Sequence, residues 1–185
     1  MLLVCGLGNS DLTLRNTRHN TGYFVIEKLS EKFKVSLDRV LESCLIGISD
    51  EVILAKPQSF MNLSGGPIVR LLRKLGLTNE SLVLVHDDMD LKFGELKIKW
   101  DGGDGGHRGV RSVIEHIGTK EFLRVKVGIG RPKNEPPEEY VLSPFTEEER
   151  KILPEILERA AMAVETVIRE GRAKAMSIFN RKWSI

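Results

Sequence analysis

A histidine and an aspartate in this sequence could form a catalytic pair. His19 stands in the segment TRHNTG just before a predicted helix, and Asp87 follows a buried apolar run in HDDMD. The positive end of a helix dipole disfavours imidazolium, so the His19 ring could stay neutral and accept a proton. An aspartate bonded to the second ring nitrogen would orient that ring and stabilise the imidazolium. A surface histidine with solvated acids is the alternative, and spacing alone leaves both open.

Two asparagines offer neutral hydrogen-bond donors beside this pair. Asn9 lies in GLGN and Asn62 in FMNLSGG, and amides fixed in advance can stabilise a carbonyl oxygen that becomes negatively charged. Alternatively, Asn9 shapes a turn and Asn62 helps to start a helix. Ser64 does not fit a serine elbow, which requires glycine where Asn62 stands, so Ser64 is predicted to cap a helix.

A glycine-rich segment is the next candidate for ligand binding. DGGDGGHRG, residues 101–109, contains more glycine than a simple turn requires. It could be a mobile loop in which Gly105 lets the backbone approach a ligand, with His107 and Arg108 at its far end. A flexible hairpin connection explains the composition equally well.

Alternating apolar and basic residues predict two strands, in ELKIKW (95–100) and LRVKVG (123–128). Each strand would have one basic face. Lys99 and Lys126 could hold a phosphate between them if the strands are neighbours. Taken alone, lysines on strand faces are more often simply solvated.

Three continuous apolar runs are typical of strands that helices cover on both faces: residues 2–5, 52–55 and 82–85. Polar segments follow each run, and ligands in open α/β sheets bind outside the carboxyl ends of the strands. The candidate residues should therefore meet at one edge of a sheet.

Amphipathic segments predict the helices of this α/β fold. One is capped by Asn20 or Thr21, and another begins at Pro67 and ends at Gly76. Apolar residues at helical spacing over 152–168 predict a long helix, and AMSIFN predicts a short one after it.

Length and composition indicate one soluble globular domain over residues 1–185. The chain is 41% hydrophobic and 29% charged, and no apolar run reaches the roughly 20 residues of a membrane span. The first residues lack the features of a signal peptide, so we expect a cytoplasmic protein without membrane contact. Because the net charge is only +2, a polyanionic partner would have to bind a local basic patch.

Neither cofactors nor metals are expected. Cys5 and Cys44 have no paired spacing, and the four histidines lack the spacing of a zinc site. GLGNSD begins like a dinucleotide-binding motif but has Asp11 in place of the third glycine, so nucleotide binding is rejected.

Taken together, five motifs resemble those of bacterial-type peptidyl-tRNA hydrolases. They are GLGN…TRHNTG, KPQSFMNLSGG, HDDMDL, GGDGGHRG and VKVGIGRP, and the similarity runs from Leu3 to the terminal AMSIFN. The resemblance implies a monomeric, metal-free α/β domain whose mixed, mostly parallel twisted sheet is flanked by α-helices. It also implies hydrolysis of the ester between a peptide and the 3′ ribose of tRNA, which recycles tRNA for translation.

The same resemblance implies roles for particular residues. His19 matches the base that activates water, and Asp87 matches its partner. Asn9 and Asn62 match the asparagines that place the peptide carbonyl and the 3′ end, and Met61 matches a residue of the same cleft. The basic pair that holds the tRNA 5′ phosphate corresponds to Lys99 and Lys126.

The sequence departs from the family pattern at three places. Arg108 replaces an asparagine that contacts the 3′ end and orients water, and arginine cannot accept a hydrogen bond. A contact with a backbone phosphate near the 3′ end is a possible role for it. Ser10-Asp11 replaces Pro-Gly and Leu14 replaces tyrosine, so we expect a differently shaped loop with the base still in place.

Two other functions compete with the hydrolase. A non-catalytic RNA-binding relative would keep the fold, and Arg108 is the feature that favours it. An unrelated hydrolase of small esters would require a nucleophile that we do not find.

Overall fold

The computed structural model describes residues 1–182, which form a single α/β fold around one seven-stranded sheet in the order β2-β3-β4-β1-β5-β7-β6. The four central strands β4, β1, β5 and β7 are parallel, and the outer strands pair antiparallel. The predicted mixed, mostly parallel sheet is confirmed. The strands are β1 Leu2–Gly6, β2 Arg39–Leu41, β3 Cys44–Ile48, β4 Val52–Pro57, β5 Leu82–Asp88, β6 Leu96–Lys99 and β7 Leu123–Gly128.

Helices cover both faces of this sheet and create two hydrophobic cores. The helices are α1 Thr21–Phe33, α2 Gly65–Lys74, α3 Arg108–Ile117, α4 Pro137–Val141, α5 Glu147–Glu170 and α6 Arg172–Phe179. Apolar residues of α1, α5 and α6 pack on one face, and those of α2 and α3 pack on the other. No helix within residues 1–182 is both long and apolar enough to cross a membrane.

The start of α1 lies very close to the ends of β1 and β5. A Cβ atom added at Gly22 would lie 2.4 Å from the Val85 carbonyl oxygen and 2.5 Å from the Leu7 backbone. A Cβ atom at Gly6 would lie 2.2 Å from the Gly22 carbonyl oxygen. These contacts involve backbone that cannot easily yield, so only glycine permits the approach. The approach brings the residues just before α1 to the carboxyl end of β5.

Asn20 and Ser64 stand at the N-cap positions of α1 and α2, but neither side chain makes the capping hydrogen bond. Asn20 precedes α1 but makes no capping hydrogen bond, because its side chain bonds to the backbone of Asn9 instead. Ser64 has helical backbone angles, and its hydroxyl donates back to the Met61 carbonyl at 2.7 Å. The helix α2 also begins two residues before Pro67, where Gly65 N donates to Ser112 Oγ.

Strands β6 and β7 are neighbours, and their basic residues lie on one face. Lys97 stands opposite Lys126, and Lys99 stands opposite Arg124. The expected basic face of β7 is only partly open, because Arg124 is fully buried. Its guanidinium donates to the carbonyls of Gly103 and Lys120 at 3.0 and 2.9 Å. Arg124 thereby attaches the glycine-rich segment to the sheet.

Candidate active site

His19 and Asp87 meet at the carboxyl end of β5, as their motifs predict. His19 lies in a 3₁₀ turn, Arg18–Asn20, that leads directly into α1. Its Nδ1 is 2.8 Å from Asp87 Oδ2, and both residues are buried. Because a carboxylate only accepts hydrogen bonds, Nδ1 carries the proton and Nε2 keeps a free lone pair.

A second histidine donates to the same carboxylate. His107 Nε2 is 2.9 Å from Asp87 Oδ1. Its Nδ1 accepts from the backbone N–H groups of Gly109 and Val110 at 3.1 and 3.3 Å, and so caps α3. With one nitrogen accepting and the other donating, the ring is held neutral in a single tautomer. His107 was expected among the binding residues, and in the structure it also bonds to Asp87.

Asp87 and His86 have strongly shifted pKa values. Burial alone would raise the pKa of Asp87, but the interactions with His19 and His107 hold it well below its ordinary value. Burial lowers the pKa of His86 to about 3, with a smaller contribution from His107. His86 Nδ1 donates to the Asp87 carbonyl at 2.7 Å, and its ring packs edge-on against His107. The Asp87 carboxylate is therefore ionised beside neutral His86.

Asn9 is oriented by backbone contacts from two directions. Its Oδ1 accepts from Met61 N at 2.8 Å, while its backbone N and O pair with the Asn20 side chain at 2.7 and 3.1 Å. The Asn9 Nδ2 amide has no hydrogen-bond partner among the described residues, and Asn9 borders the cleft. It is therefore a fixed donor available to a ligand.

All of the predicted site residues line one cleft of about 760 Å³. Its cationic wall, which we define as Lys97, Lys99, Arg108 and Lys126, comes from β6, α3 and β7. Four apolar residues also line the cleft: Leu14, Phe60, Val141 and Leu142. The remaining predicted residues that line the cleft are Asn9, His19, Met61, Asn62, Asp87, Gly105 and His107.

The cations of the cationic wall differ in their surroundings. Lys126 lies 3.7 Å from Asp88 Oδ2, and burial lowers its pKa. Arg108 and Lys99 form no ion pair within residues 1–182. Both therefore remain available to a polyanion.

Sequence reasoning missed Arg18 and Asn20 as parts of the site. The Arg18 guanidinium is buried, donates to Pro144 O and Glu149 Oε1 at 2.9 and 2.8 Å, and lies over the Tyr140 ring. Arg18 thereby connects α4, which borders the cleft, with the 3₁₀ turn that contains His19. In the sequence, the only indication that these two residues support the site is their position beside His19 in TRHN.

Three side chains come close enough to suggest a metal site. Potential ligand atoms of His19, Asp87 and His107 lie within 4.8 Å of one another. A metal bound to His107 Nε2 would move the ring proton to Nδ1, where it would face the two N–H groups at the start of α3. The hydrogen-bond pattern therefore fits an N–H group at His107 Nε2 that donates to Asp87, and it does not fit a metal ion.

The fold and this cleft define a hydrolase: a mixed α/β sheet holds a buried histidine–aspartate pair and amide donors at the ends of its strands. No serine or cysteine lines the cleft within residues 1–182. The sequence model described as peptidyl-tRNA hydrolase matches residues 3–184. The chain belongs to the peptidyl-tRNA hydrolase family.

Individual relatives are similar over nearly their full lengths. A peptidyl-tRNA hydrolase from Pseudothermotoga lettingae is 40% identical over 181 residues, 97% of each chain. Another, from Thermodesulfovibrio yellowstonii, is 41% identical over 187 residues, which are 98% of this chain and all of the relative. The crystal structure of peptidyl-tRNA hydrolase from Acinetobacter baumannii has a TM-score of 0.90 at 29% identity and covers 97% of this chain and 94% of that one.

Proposed function

We propose that this protein hydrolyses the ester between the peptide and the 3′ ribose in peptidyl-tRNA, with His19 as the general base. Family membership supports the reaction. The observation that carries the role of His19 is its 2.8 Å hydrogen bond to Asp87, which leaves Nε2 free at the cleft.

The reaction follows from this arrangement. His19 Nε2 takes a proton from water as the water oxygen attacks the ester carbonyl carbon, giving a tetrahedral intermediate. When the intermediate collapses, the bond to the ribose 3′ oxygen breaks, and the imidazolium returns the proton to that oxygen. Asp87 stays ionised and stabilises the imidazolium. The products are the free peptide acid and tRNA with a 3′ hydroxyl.

Amide donors would stabilise the developing oxyanion. Asn9 Nδ2 is fixed by the contacts of its Oδ1 and backbone, so little reorganisation is needed when charge develops. Asn62 is exposed beside Met61 in the same cleft and would contact the peptide carbonyl or the 3′ end. Gly105 and His107 border the bound nucleotide in this proposal.

The cationic wall would bind the acceptor stem of tRNA. Lys99 and Lys126 stand on adjacent strands, and contacts between lysines and phosphates add affinity without reading the bases. This suits an enzyme that acts on many tRNAs. Because one copy of the chain supplies every proposed residue, we propose that the protein acts as a monomer with a single domain. We also propose that it works in the cytoplasm and needs neither a metal nor a cofactor.

The test is release of N-acetylated amino acid from N-acetyl-aminoacyl-tRNA. The wild-type protein should hydrolyse this substrate with a chelator present. The kcat of His19→Ala should fall at least about a thousandfold, because His19 and Asp87 act as a unit and the loss of the base abolishes the function of the pair. The variant should still bind tRNA. Binding of tRNA by the wild type without any turnover would instead identify a non-catalytic RNA-binding relative and refute the proposal.

A further inference from the structure

We propose that Arg108 binds the phosphate on the 5′ side of the substrate's 3′-terminal nucleoside, so that the enzyme selects esters carried on a nucleotide chain. This inference rests on the proposed function and deepens it. It assigns a ligand group to the residue at which the sequence departs most clearly from its family.

Arg108 is the first residue of α3 and directly follows His107, which bonds to Asp87 at 2.9 Å. The His107 ring lies 4.7 Å from the His19 ring, measured between centroids. Of the cations in the cationic wall, Arg108 alone adjoins in sequence a residue that bonds to the catalytic aspartate. Its side chain is exposed and borders the cleft.

Neighbouring acids do not neutralise Arg108. Asp104 accepts from Gly106 N at 2.7 Å and from Arg111 Nε at 3.1 Å, and Asp90 pairs with Arg131. Glu138 borders the same cleft and forms no ion pair with Arg108 among the described contacts. The guanidinium therefore keeps its full hydrogen-bonding capacity in the cleft.

The position of Arg108 is unfavourable for a cation in the free protein. The amino end of a helix carries partial positive charge and stabilises anions, so an arginine in the first turn of α3 lowers stability. Neither an acidic partner nor a packed ring offsets this within residues 1–182. An anion bound by the guanidinium would remove this unfavourable interaction, so the position favours an anionic ligand.

The chemistry of the substrate selects phosphate as that anion. A guanidinium presents paired N–H donors that match two phosphate oxygens. The ribose that carries the scissile ester has one phosphodiester of its own, on its 5′ side. That phosphate is the first anion met along the chain from the ester.

The experiment compares three substrates that share one N-acetylated amino acid. They are the full tRNA ester, the ester of the trinucleotide CpCpA, and the ester of adenosine, which has no phosphate. Arg108→Gln should lower kcat/KM roughly tenfold to a hundredfold for the first two, as expected for a lost charge-assisted hydrogen bond, and leave the adenosine ester unchanged. Arg108→Lys should recover part of the loss, because it keeps the charge without the paired donors.

Two control variants separate this contact from general electrostatics. Lys99→Gln should weaken hydrolysis of the tRNA ester more than hydrolysis of the CpCpA ester, because CpCpA lacks the acceptor stem. Arg73→Gln removes the same charge from an exposed site on α2 that does not border the cleft, and all three rates should stay at the wild-type level.

Each other outcome has a definite meaning. An equal loss on the adenosine ester would place Arg108 at the reacting carbonyl and overturn the phosphate contact, as would no loss on any substrate. If the wild type hydrolyses none of the esters, the proposed function itself fails. If the wild type hydrolyses only the tRNA ester, inhibition of that reaction by free CpCpA and by adenosine replaces the comparison of substrates. Arg108→Gln should then weaken inhibition by CpCpA and leave inhibition by adenosine unchanged.

Discussion

His107 connects the start of α3 to Asp87: Nδ1 accepts from the helix backbone, and Nε2 donates to Asp87 Oδ1 at 2.9 Å. The carboxylate is therefore held from both sides, by His19 and by His107. Its orientation depends on α3 as well as on the turn that carries His19. His107 thereby helps to position the proposed base through Asp87.

Replacing His107 by asparagine should separate its two roles. Asparagine is a good helix cap, so His107→Asn should keep the cap of α3 and be more stable than His107→Ala, whereas its short side chain cannot reach Asp87. Loss of a hydrogen bond to a buried carboxylate should lower kcat about tenfold or more. Thermal unfolding and kcat measured on one preparation test this. His107→Ala should lose both properties, and an unaltered kcat in His107→Asn would show that Asp87 needs no second donor.

The close approach of α1 to the sheet predicts a strong effect at Gly22. A methyl group there would lie 2.4 Å from the Val85 carbonyl oxygen, so Gly22→Ala should cost about 1–3 kcal/mol through overpacking. Since α1 begins just after His19, kcat of the folded protein should also fall. Gly103→Ala is the matched control, because nothing lies within 4 Å of its added Cβ. Equal denaturant midpoints for the two variants would show that α1 tolerates the shift.

Buried His86 predicts loss of stability in acid. Its pKa is about 3 in the folded protein and 6.5 ordinarily, so between these values the unfolded chain binds a proton that the folded protein does not. The contribution is complete above pH 6.5 and is lost as the pH falls towards 3, at about 1.4 kcal/mol per pH unit. Asp87, whose pKa is also lowered, adds a loss in the same direction below its ordinary value.

Urea unfolding across this pH range measures the slope directly. In His86→Gln the free energy of unfolding should change less steeply between pH 6.5 and 4, while the difference from wild type should be constant above pH 7. Parallel curves for the two proteins at all pH values would show that His86 is not the group responsible.

The two lysines of the proposed phosphate contact predict a change in salt dependence. Lys99→Ala and Lys126→Ala should each weaken tRNA binding and reduce the slope of log K against log salt by about 1, as expected for one lost phosphate contact. Filter binding from 50 to 300 mM salt, a range on the order of that used for such slopes, provides the measurement. Arg73→Gln should keep the wild-type slope. A wild-type slope in both lysine variants would show that neither lysine contacts a phosphate.

The sequence by itself determined five of the seven strands, most of the helices and a group of residues that line the cleft. Apolar runs and alternating basic strands report local periodicity, so β1, β4, β5, β6 and β7 could be predicted without coordinates. The order of the motifs indicated the family, and all of the predicted site residues lie in one cleft.

Only the tertiary structure decided which partner each polar side chain takes. Asn20 or Thr21 was predicted to cap α1, yet the Asn20 side chain binds Asn9, 11 residues away. His107 reaches Asp87 across 20 residues, and Arg18 reaches Glu149 across 131. The physical reason is that periodicity specifies which face a residue occupies, whereas a hydrogen bond requires two atoms about 3 Å apart. That distance is set by how helices, strands and glycine contacts pack together, and no local pattern contains it.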